Sequence, residues 1–324
     1  MSYQLFSHFQ PYIEGLIEQK QAVGYPYDTS ARILKGFDRF CSSHYPTSTS
    51  LTAEIALCWA AKKPDEHVNN LFRRITPVRQ LAKYMNSIGV EAYVIPAKIP
   101  KAQLRYNPHI FTQPELRAFF GEIDKCNLSP FSPVRHLVMP VFFRLLYCCG
   151  LRASEARLLH INDIDLATGR MYIRESKGHK DRTVMLAEDV LALCRTYEEK
   201  ISRIFPNRRA FFPNLKGEFY SHSIQDYWFH LYWDHLQIAG NCCGNPPRVH
   251  DLRHTFSVRR LNLWVMEGKD INAYLPYLSL YLGHANITDT DYYLHFASEF
   301  FPIFKKKSTQ ACADLIPEVD YEKE

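Results

Sequence analysis

With 324 residues, 46% of them hydrophobic and 23% charged, the chain is too long for one typical core and too apolar to be disordered. Its formal net charge of +5 favours an anionic partner, although ordinary enzymes carry as much. The start Met1-Ser-Tyr-Gln-Leu-Phe6 lacks a basic segment followed by an apolar run, and no stretch approaches the roughly 18 apolar residues of a membrane helix, so a soluble intracellular protein with no membrane partner is expected.

The first hundred residues read as helices. Leu5, Phe6, Phe9, Ile13, Leu16 and Ile17 recur at helical spacing, and after a break at Gly24-Tyr-Pro26 a second stripe holds Ile33, Leu34, Phe37, Phe40 and Cys41. A shorter third helix spans Leu51 to Ala61, with Trp59 facing inward. Val68, Leu71, Ile75, Val78, Leu81 and Met85 form a fourth stripe ending at Gly89, and Pro77 inside it predicts a kink or a split. Arg73, Arg74, Arg79 and Lys83 lie on or beside this helix. A solvated outer face explains them as well as phosphate contact does, unless the domain binds DNA, when phosphate contact becomes the better reading. Pro96-Ala-Lys-Ile-Pro-Lys101 and Arg105-Tyr-Asn-Pro108 are basic, proline-rich and aperiodic, which predicts a stiffened linker over 101–110 between domains 1–100 and 111–324. Lys98 and Lys101 become further phosphate contacts if this segment runs along a duplex.

The second domain opens on Thr112-Gln-Pro-Glu115, a capping box, and a helix through Phe119 and Ile123. A longer apolar helix runs from about Val134 through Leu145 to Cys149, where Gly150 stops it, and Arg152 begins the next. Arg170-Met-Tyr-Ile-Arg174 and Asp181-Arg-Thr-Val-Met-Leu186 predict a small antiparallel sheet, reached from Ile161–Leu166 through Ala-Thr-Gly169. Helices are expected over Glu188–Ile204, Ser221–Ala239 and from Asp251 onward. The tail from Pro302 is basic at Lys305-Lys-Lys307 and then acidic. Nine cysteines include the adjacent pairs Cys148-Cys149 and Cys242-Cys243; such pairs suit neither a disulfide nor a zinc tetrahedron, and a site from Cys242, Cys243 and His250 lacks its second ligand pair. Free thiols in a reducing cytosol are the better reading.

Two late segments carry the chemistry. Arg248-Val-His-Asp-Leu-Arg-His-Thr-Phe256 sets His250 and Arg253 three residues apart, on one face of a helix. Leu282-Gly-His-Ala-Asn-Ile-Thr-Asp-Thr-Asp-Tyr-Tyr293 places His284 nine residues before Tyr293. Upstream, Gly150-Leu-Arg-Ala-Ser-Glu155 offers Arg152, and Glu175-Ser-Lys-Gly-His-Lys180 offers Lys177 in a hairpin turn. Two arginines, a lysine, two histidines and a tyrosine suit the holding of a phosphodiester while a phenol attacks it. Attack by tyrosine stores the bond as a phosphotyrosine, so the step is reversible without a new energy source. A phenol of reference pKa about 10 needs help to ionise at neutral pH. Planar guanidinium forks each give two hydrogen bonds to non-bridging oxygens, and losing one is expected to cost about 2.7–4 kcal/mol of barrier lowering, by comparison with an oxyanion donor.

In these six positions and their order the chain resembles the tyrosine recombinases, the phage integrase family, over essentially its whole length. The resemblance implies a mainly α fold: an N-terminal helical core-binding (SAM-like) domain and a mostly helical catalytic domain with a small antiparallel sheet. It implies Tyr293 as nucleophile, with Tyr292 its neighbouring rival, and Arg152 and Arg253 as the phosphate clamp. His250 is then a general base or a phosphate ligand. Lys177 donates a proton to the leaving 5′-oxygen, with Lys180 a competitor; His284 bonds a phosphate oxygen; Glu155 is the acidic partner and His254 a support. No metal or other cofactor is needed, since arginines supply the positive charge. The expected partners are double-stranded DNA with short inverted core sites and, in the synaptic complex, a homotetramer, acting at the nucleoid of a prokaryotic cytoplasm on a mobile element. A type IB topoisomerase and a catalytically silent DNA-binding protein are the alternatives. The phenylalanines Phe296, Phe300, Phe301 and Phe304 resemble a tail that docks into a neighbouring protomer, or they cap their own domain. One departure stands out: 31 positions separate Arg253 from His284, longer than the family's spacing by roughly two helical turns, which predicts an extended loop or helix at the surface.

Overall fold

A computed structural model describes residues 4–100, 106–130, 132–176, 180–238 and 246–297. The chain divides into two compact units, Met1–Tyr106 and Asn107–Glu324. In the first, helices α1 (Gln10–Ala22), α2 (Asp28–His44), α3 (Ala53–Ala60) and α4 (Val68–Ser87) turn their apolar stripes onto one core that includes Phe9, Ile13, Leu34, Phe37, Ile55, Ile75 and Val78. Phe6, read as part of the first stripe, is 59% exposed instead, while Leu5 and Phe9 on either side of it are buried. Trp59 is half-buried, edge-on to Phe37 at 5.3 Å, and donates its indole N–H to the Arg74 carbonyl at 3.2 Å. Pro77 does not split α4. Burial of Ile75 and Val78 on either side of it outweighs the one backbone hydrogen bond that proline forfeits.

The second unit opens with α5 (Gln113–Asp124), whose capping box forms: the Thr112 hydroxyl accepts from the Glu115 amide, and the Glu115 carboxylate accepts from the Thr112 amide at 2.7 Å. There follow α6 (Arg135–Cys148), α7 (Ala153–Arg157), strands β1 (Ile164–Asp165), β2 (Arg170–Ser176) and β3 (Lys180–Met185), α8 (Glu188–Ile204) and α9 (Ile224–Trp233). The unit ends with α10 (Asp251–Met266), α11 (Ile271–Leu282), α12 (Thr288–Asp291) and a 3₁₀ turn over Tyr292–Phe296. The strands form one antiparallel sheet in the order β1-β2-β3, with Met171 opposite both Ile164 and Val184. Buried α6 packs against α5, α7, α8 and α10 and shares one core with Met171, Ile173 and Val184 of the sheet. The helix expected over Ser221–Ala239 is shorter: a 3₁₀ turn follows α9, and Gln237 at φ 50° ends it.

The extra residues between Arg253 and His284 are taken up by helix rather than loop. They fall in α10 and α11, which meet at a turn at Gly268 (φ 70°), with Met266 and Tyr277 on the surface. Their inner faces make a separate small core in which Val258, Leu261, Leu275, Leu278 and Leu282 surround Tyr293. No helix of the described residues is long and apolar enough to cross a membrane, and the six cysteines among them are free, including adjacent Cys148 and Cys149.

Gly150 ends α6 in the left-handed region at φ 60°, and a Cβ there would stand 2.5 Å from the Phe256 ring. The first condition strains any side chain, and the second leaves a Cβ no room. Gly150→Ala is therefore expected to lose about 1–3 kcal/mol from backbone strain and about as much again from overpacking. Thermal denaturation should show the midpoint falling by roughly 2–4 °C for each kcal/mol; an unchanged midpoint would contradict this.

Candidate active site

The last carbonyls of a helix have no partner inside it, and the helix end carries partial negative charge. At the end of α11, closed by Gly283 at φ 66°, three successive carbonyls meet three arginines. Tyr281 O accepts from Arg182 Nε at 2.8 Å, Leu282 O from Arg253 Nη2 at 2.5 Å, and Gly283 O from Arg152 Nη2 at 3.0 Å. Arg253 also donates to Gly150 O at 2.7 Å and is 1% exposed. Its guanidinium, pushed down to about 10 by burial and by Arg152, stays charged at neutral pH.

One carboxylate balances this cluster. Glu155 accepts from Arg182 through both of its oxygens at 2.8 Å, from Arg152 Nη1 at 2.7 Å and from the Arg152 amide at 2.8 Å; Arg253 Nη1 lies 3.9 Å away. The Arg152 amide bond is a cap on α7, so the same acid starts the helix and holds the arginine. Burial would raise the Glu155 carboxyl, but Arg182 outweighs it, with help from Arg152 and Arg253, and holds it at about 2.

The histidines are kept neutral by burial, aided by the same arginines. Burial, then Arg253, Arg248 and Arg152, push His250 down to about 4. His250 is exposed at the N-cap of α10, and the neighbouring guanidiniums act in the same direction as burial. His284 is pushed down to about 3 by burial, Arg253 and Arg152, and its Nδ1 lies 2.7 Å from the hydroxyl of buried Thr290. His254 stands T-shaped to His250 at 4.7 Å and lies 5.4 Å from the Tyr293 ring. Burial and the charges around it push it down to about 2, and its Nδ1 is buried without a partner among the described residues. A ring so resistant to protonation suits support rather than proton transfer.

The two tyrosines part here. Tyr293 is 2% exposed, with its ring stacked on His284 at 6.1 Å. Burial raises its phenol, opposed by the charge of Arg253 and by hydrogen bonds with Ser257 and Arg253. Tyr292 is half-buried, packs on Phe296 at 5.1 Å and reaches His254 only at 6.4 Å.

Arg152, His250, Arg253, His284 and Tyr293 are thus brought to one place; Lys177 lies outside the described residues. Of the basic residues expected to contact DNA, Arg74 and Arg79 bond within the first unit. Arg74 donates to Glu66 at 2.7 Å and to the carbonyls of Ala61 (2.9 Å) and Trp59. Arg79 donates to the carbonyls of Ile95 (2.8 Å), Pro96 (3.0 Å) and Ile99 (2.7 Å), so it pins the segment read as linker onto α4. These bonds give both arginines a structural reason to be present, whereas Arg73, Lys83 and Lys98 are exposed; Lys101 lies outside the described residues. Sequence reading missed Arg182, Thr290 and Ser257. The signal for Arg182 is its register: it shares the alternate positions of buried Val184 and Leu186, an inward face where a cation needs a partner.

Residues 111–299 match the family model of the phage integrase family. The chain belongs to that family. A "Putative integrase/recombinase y4rE" of Sinorhizobium fredii is 30% identical over 289 residues, 87% of this chain and 90% of that protein. A "Tyrosine recombinase XerD" of Pseudomonas putida is 30% identical over 156 residues, 47% of this chain and 48% of the other. Among solved structures, the post-cleavage complex of XerH site-specific recombinase with palindromic difH substrate has a TM-score of 0.62 at 19% identity, covering 94% of this chain and 84% of that one. The mainly helical fold with its small sheet is that of the tyrosine recombinases, and the phage integrase membership makes the chain a tyrosine-type site-specific recombinase.

Because His254 and His284 titrate in the fold far below their unfolded value of about 6.5, the unfolded chain takes up protons first as pH falls. Their contribution to stability is complete above about 6.5 and is lost progressively as pH falls toward their folded values of about 2 and about 3. Glu155 adds loss of the same sign as pH falls from its unfolded value of about 4.3 toward 2. The thermal midpoint should therefore decline between pH 6.5 and 4.5, less steeply in His284→Asn. A midpoint independent of pH across this window would contradict the buried neutral imidazoles.

Proposed function

We propose that Tyr293 is the nucleophile of a site-specific recombinase that integrates or excises a mobile element. Its phenol oxygen attacks the scissile phosphorus as the bond to the 5′-oxygen breaks. The 3′-phosphate becomes esterified to Tyr293, and the departing strand leaves as a 5′-hydroxyl once protonated. Rejoining runs the same step backward with a hydroxyl from the other duplex. Arg152 and Arg253 clamp the non-bridging oxygens and offset charge in the pentacovalent transition state. His250, neutral at physiological pH, accepts the phenolic proton or bonds the phosphate. His284 bonds a phosphate oxygen, and Lys177 delivers the proton to the leaving oxygen. The work takes place on double-stranded DNA with short inverted core sites, within a homotetramer, at the nucleoid in the cytoplasm.

The single observation that carries this reading is the difference between adjacent tyrosines. Tyr293 lies beside Arg253 and His284, whereas Tyr292 lies against Phe296. A nicked suicide duplex, which lets the cut strand's short end diffuse away, tests it. The wild type and Tyr292→Phe should trap a covalent protein–DNA adduct, while Tyr293→Phe should trap none. Arg152→Ala and Arg253→Ala should each lose about 2.7–4 kcal/mol of barrier lowering, on the order of 10²–10³ in rate. An adduct from Tyr293→Phe would refute the assignment, and relaxation of site-free plasmid by monomer would point to a topoisomerase.

Arg73, Lys83 and Lys98 are the proposed backbone contacts of the first unit, with Lys101. Arg73→Ala/Lys83→Ala should weaken binding across all sequences and lower the salt slope by about one for each cation removed, at unchanged thermal midpoint. Arg79→Ala should instead lower the midpoint, because three carbonyls lose their donor. The reverse pattern would exchange the two roles.

A further inference from the structure

Arg182 is a third guanidinium in the site, and the chemistry above assigns it no part. It sits on the inward face of β3 with its side chain 7% exposed. A buried cation is costly to desolvate and persists where good geometry compensates it. Here compensation is complete in form: both terminal nitrogens bond the two Glu155 oxygens at 2.8 Å, and Nε bonds Tyr281 O at 2.8 Å. We infer that Arg182 is a positioning residue for strand cleavage, which takes up the charge of Glu155 so that Arg152 and Arg253 meet the phosphate with their own charge undiminished.

Two lines support this, and both rest on the reading of Arg152, Arg253 and Tyr293 as the cleavage site. The first is charge. Among the described residues that these ion pairs join, three guanidiniums stand against one carboxylate, an excess of two positive charges. Without Arg182 the excess falls to one, and Glu155, 2.7 Å from Arg152 and 3.9 Å from Arg253, draws on the clamp itself. A phosphodiester gains negative charge on the way to its pentacovalent transition state. The missing charge therefore weighs more on the transition state than on bound DNA. The second is place. Arg182 hooks the α11 end at Tyr281, the carbonyl just before the two that hold Arg253 and Arg152. Through one side chain, β3 thus fixes both the acid and the helix end that together orient the clamp.

The test measures the adduct-forming rate on the suicide duplex at saturating DNA, together with DNA affinity and thermal midpoint. Arg182→Met should slow cleavage by about 10–100-fold, the range found for outer partners of a site's ligands. Affinity should change by no more than about twofold, because it is spread over many phosphate contacts. The double variant Arg182→Met/Glu155→Gln restores the excess of two charges and should cleave at least about tenfold faster than Arg182→Met and within about tenfold of wild type. Arg182→Lys, which keeps the charge but not the fork, should also stay within about tenfold. If Arg182→Met does not fold, these two variants still decide. The inference is overturned if the folded double variant is slowed 100-fold or more, or if Arg182→Met cleaves at the wild-type rate. Absence of adduct from the wild type, or its formation by Tyr293→Phe, would instead sink the site reading beneath it.

Discussion

The catalytic unit is organised by the meeting of one helix end with three guanidiniums. Carbonyls at a helix C-terminus need donors from outside the helix, and buried guanidiniums need acceptors. At Tyr281, Leu282 and Gly283 each requirement answers the other. The arginines come from β3, the start of α10 and the cap of α7, so one set of hydrogen bonds ties α7 and β3 to the pair α10 and α11 far along the chain. Gly150, whose carbonyl takes a further bond from Arg253, belongs to the same knot, and its missing side chain makes room for Phe256.

The electrostatics of the site follow from that knot. Burial, and then the guanidiniums crowded around them, disfavour further positive charge, so His250, His254 and His284 remain neutral well below their usual range. The same positive field favours a phenolate on Tyr293 against the burial that opposes it. A pocket with neutral bases, fixed cations and a phenol between them is prepared for an anionic substrate before one arrives. Glu155 is the counterweight, and the bidentate grip of Arg182 keeps it ionised.

Much of this was legible in the sequence, and the part that was not has physical causes. Short-range chemistry read well: the Thr112–Glu115 capping box, the glycine stop at Gly150 and the helical face shared by His250 and Arg253 depend on neighbours a few residues apart. Longer-range competition read poorly. Nothing in the stripe around Arg79 reveals that the carbonyls of Ile95, Pro96 and Ile99 claim it, and Pro77 yields to packing that only the assembled core supplies. The long spacing between Arg253 and His284 was visible, and helix was one of the two forms expected for it, but its division into two helices at Gly268 was not. Arg182 was present in the alternation of β3 and went unread, because a strand's inward face does not announce which acid it will meet.

The central claim is that the phenol beside Arg253 and His284 is the one that holds DNA. Wild-type protein trapped on a suicide duplex, digested with protease and nuclease, yields a peptide carrying a nucleotide, and fragmentation by mass spectrometry locates it. The account predicts the nucleotide on Tyr293. A nucleotide on Tyr292, or on any residue outside the pocket closed by α10 and α11, would contradict it.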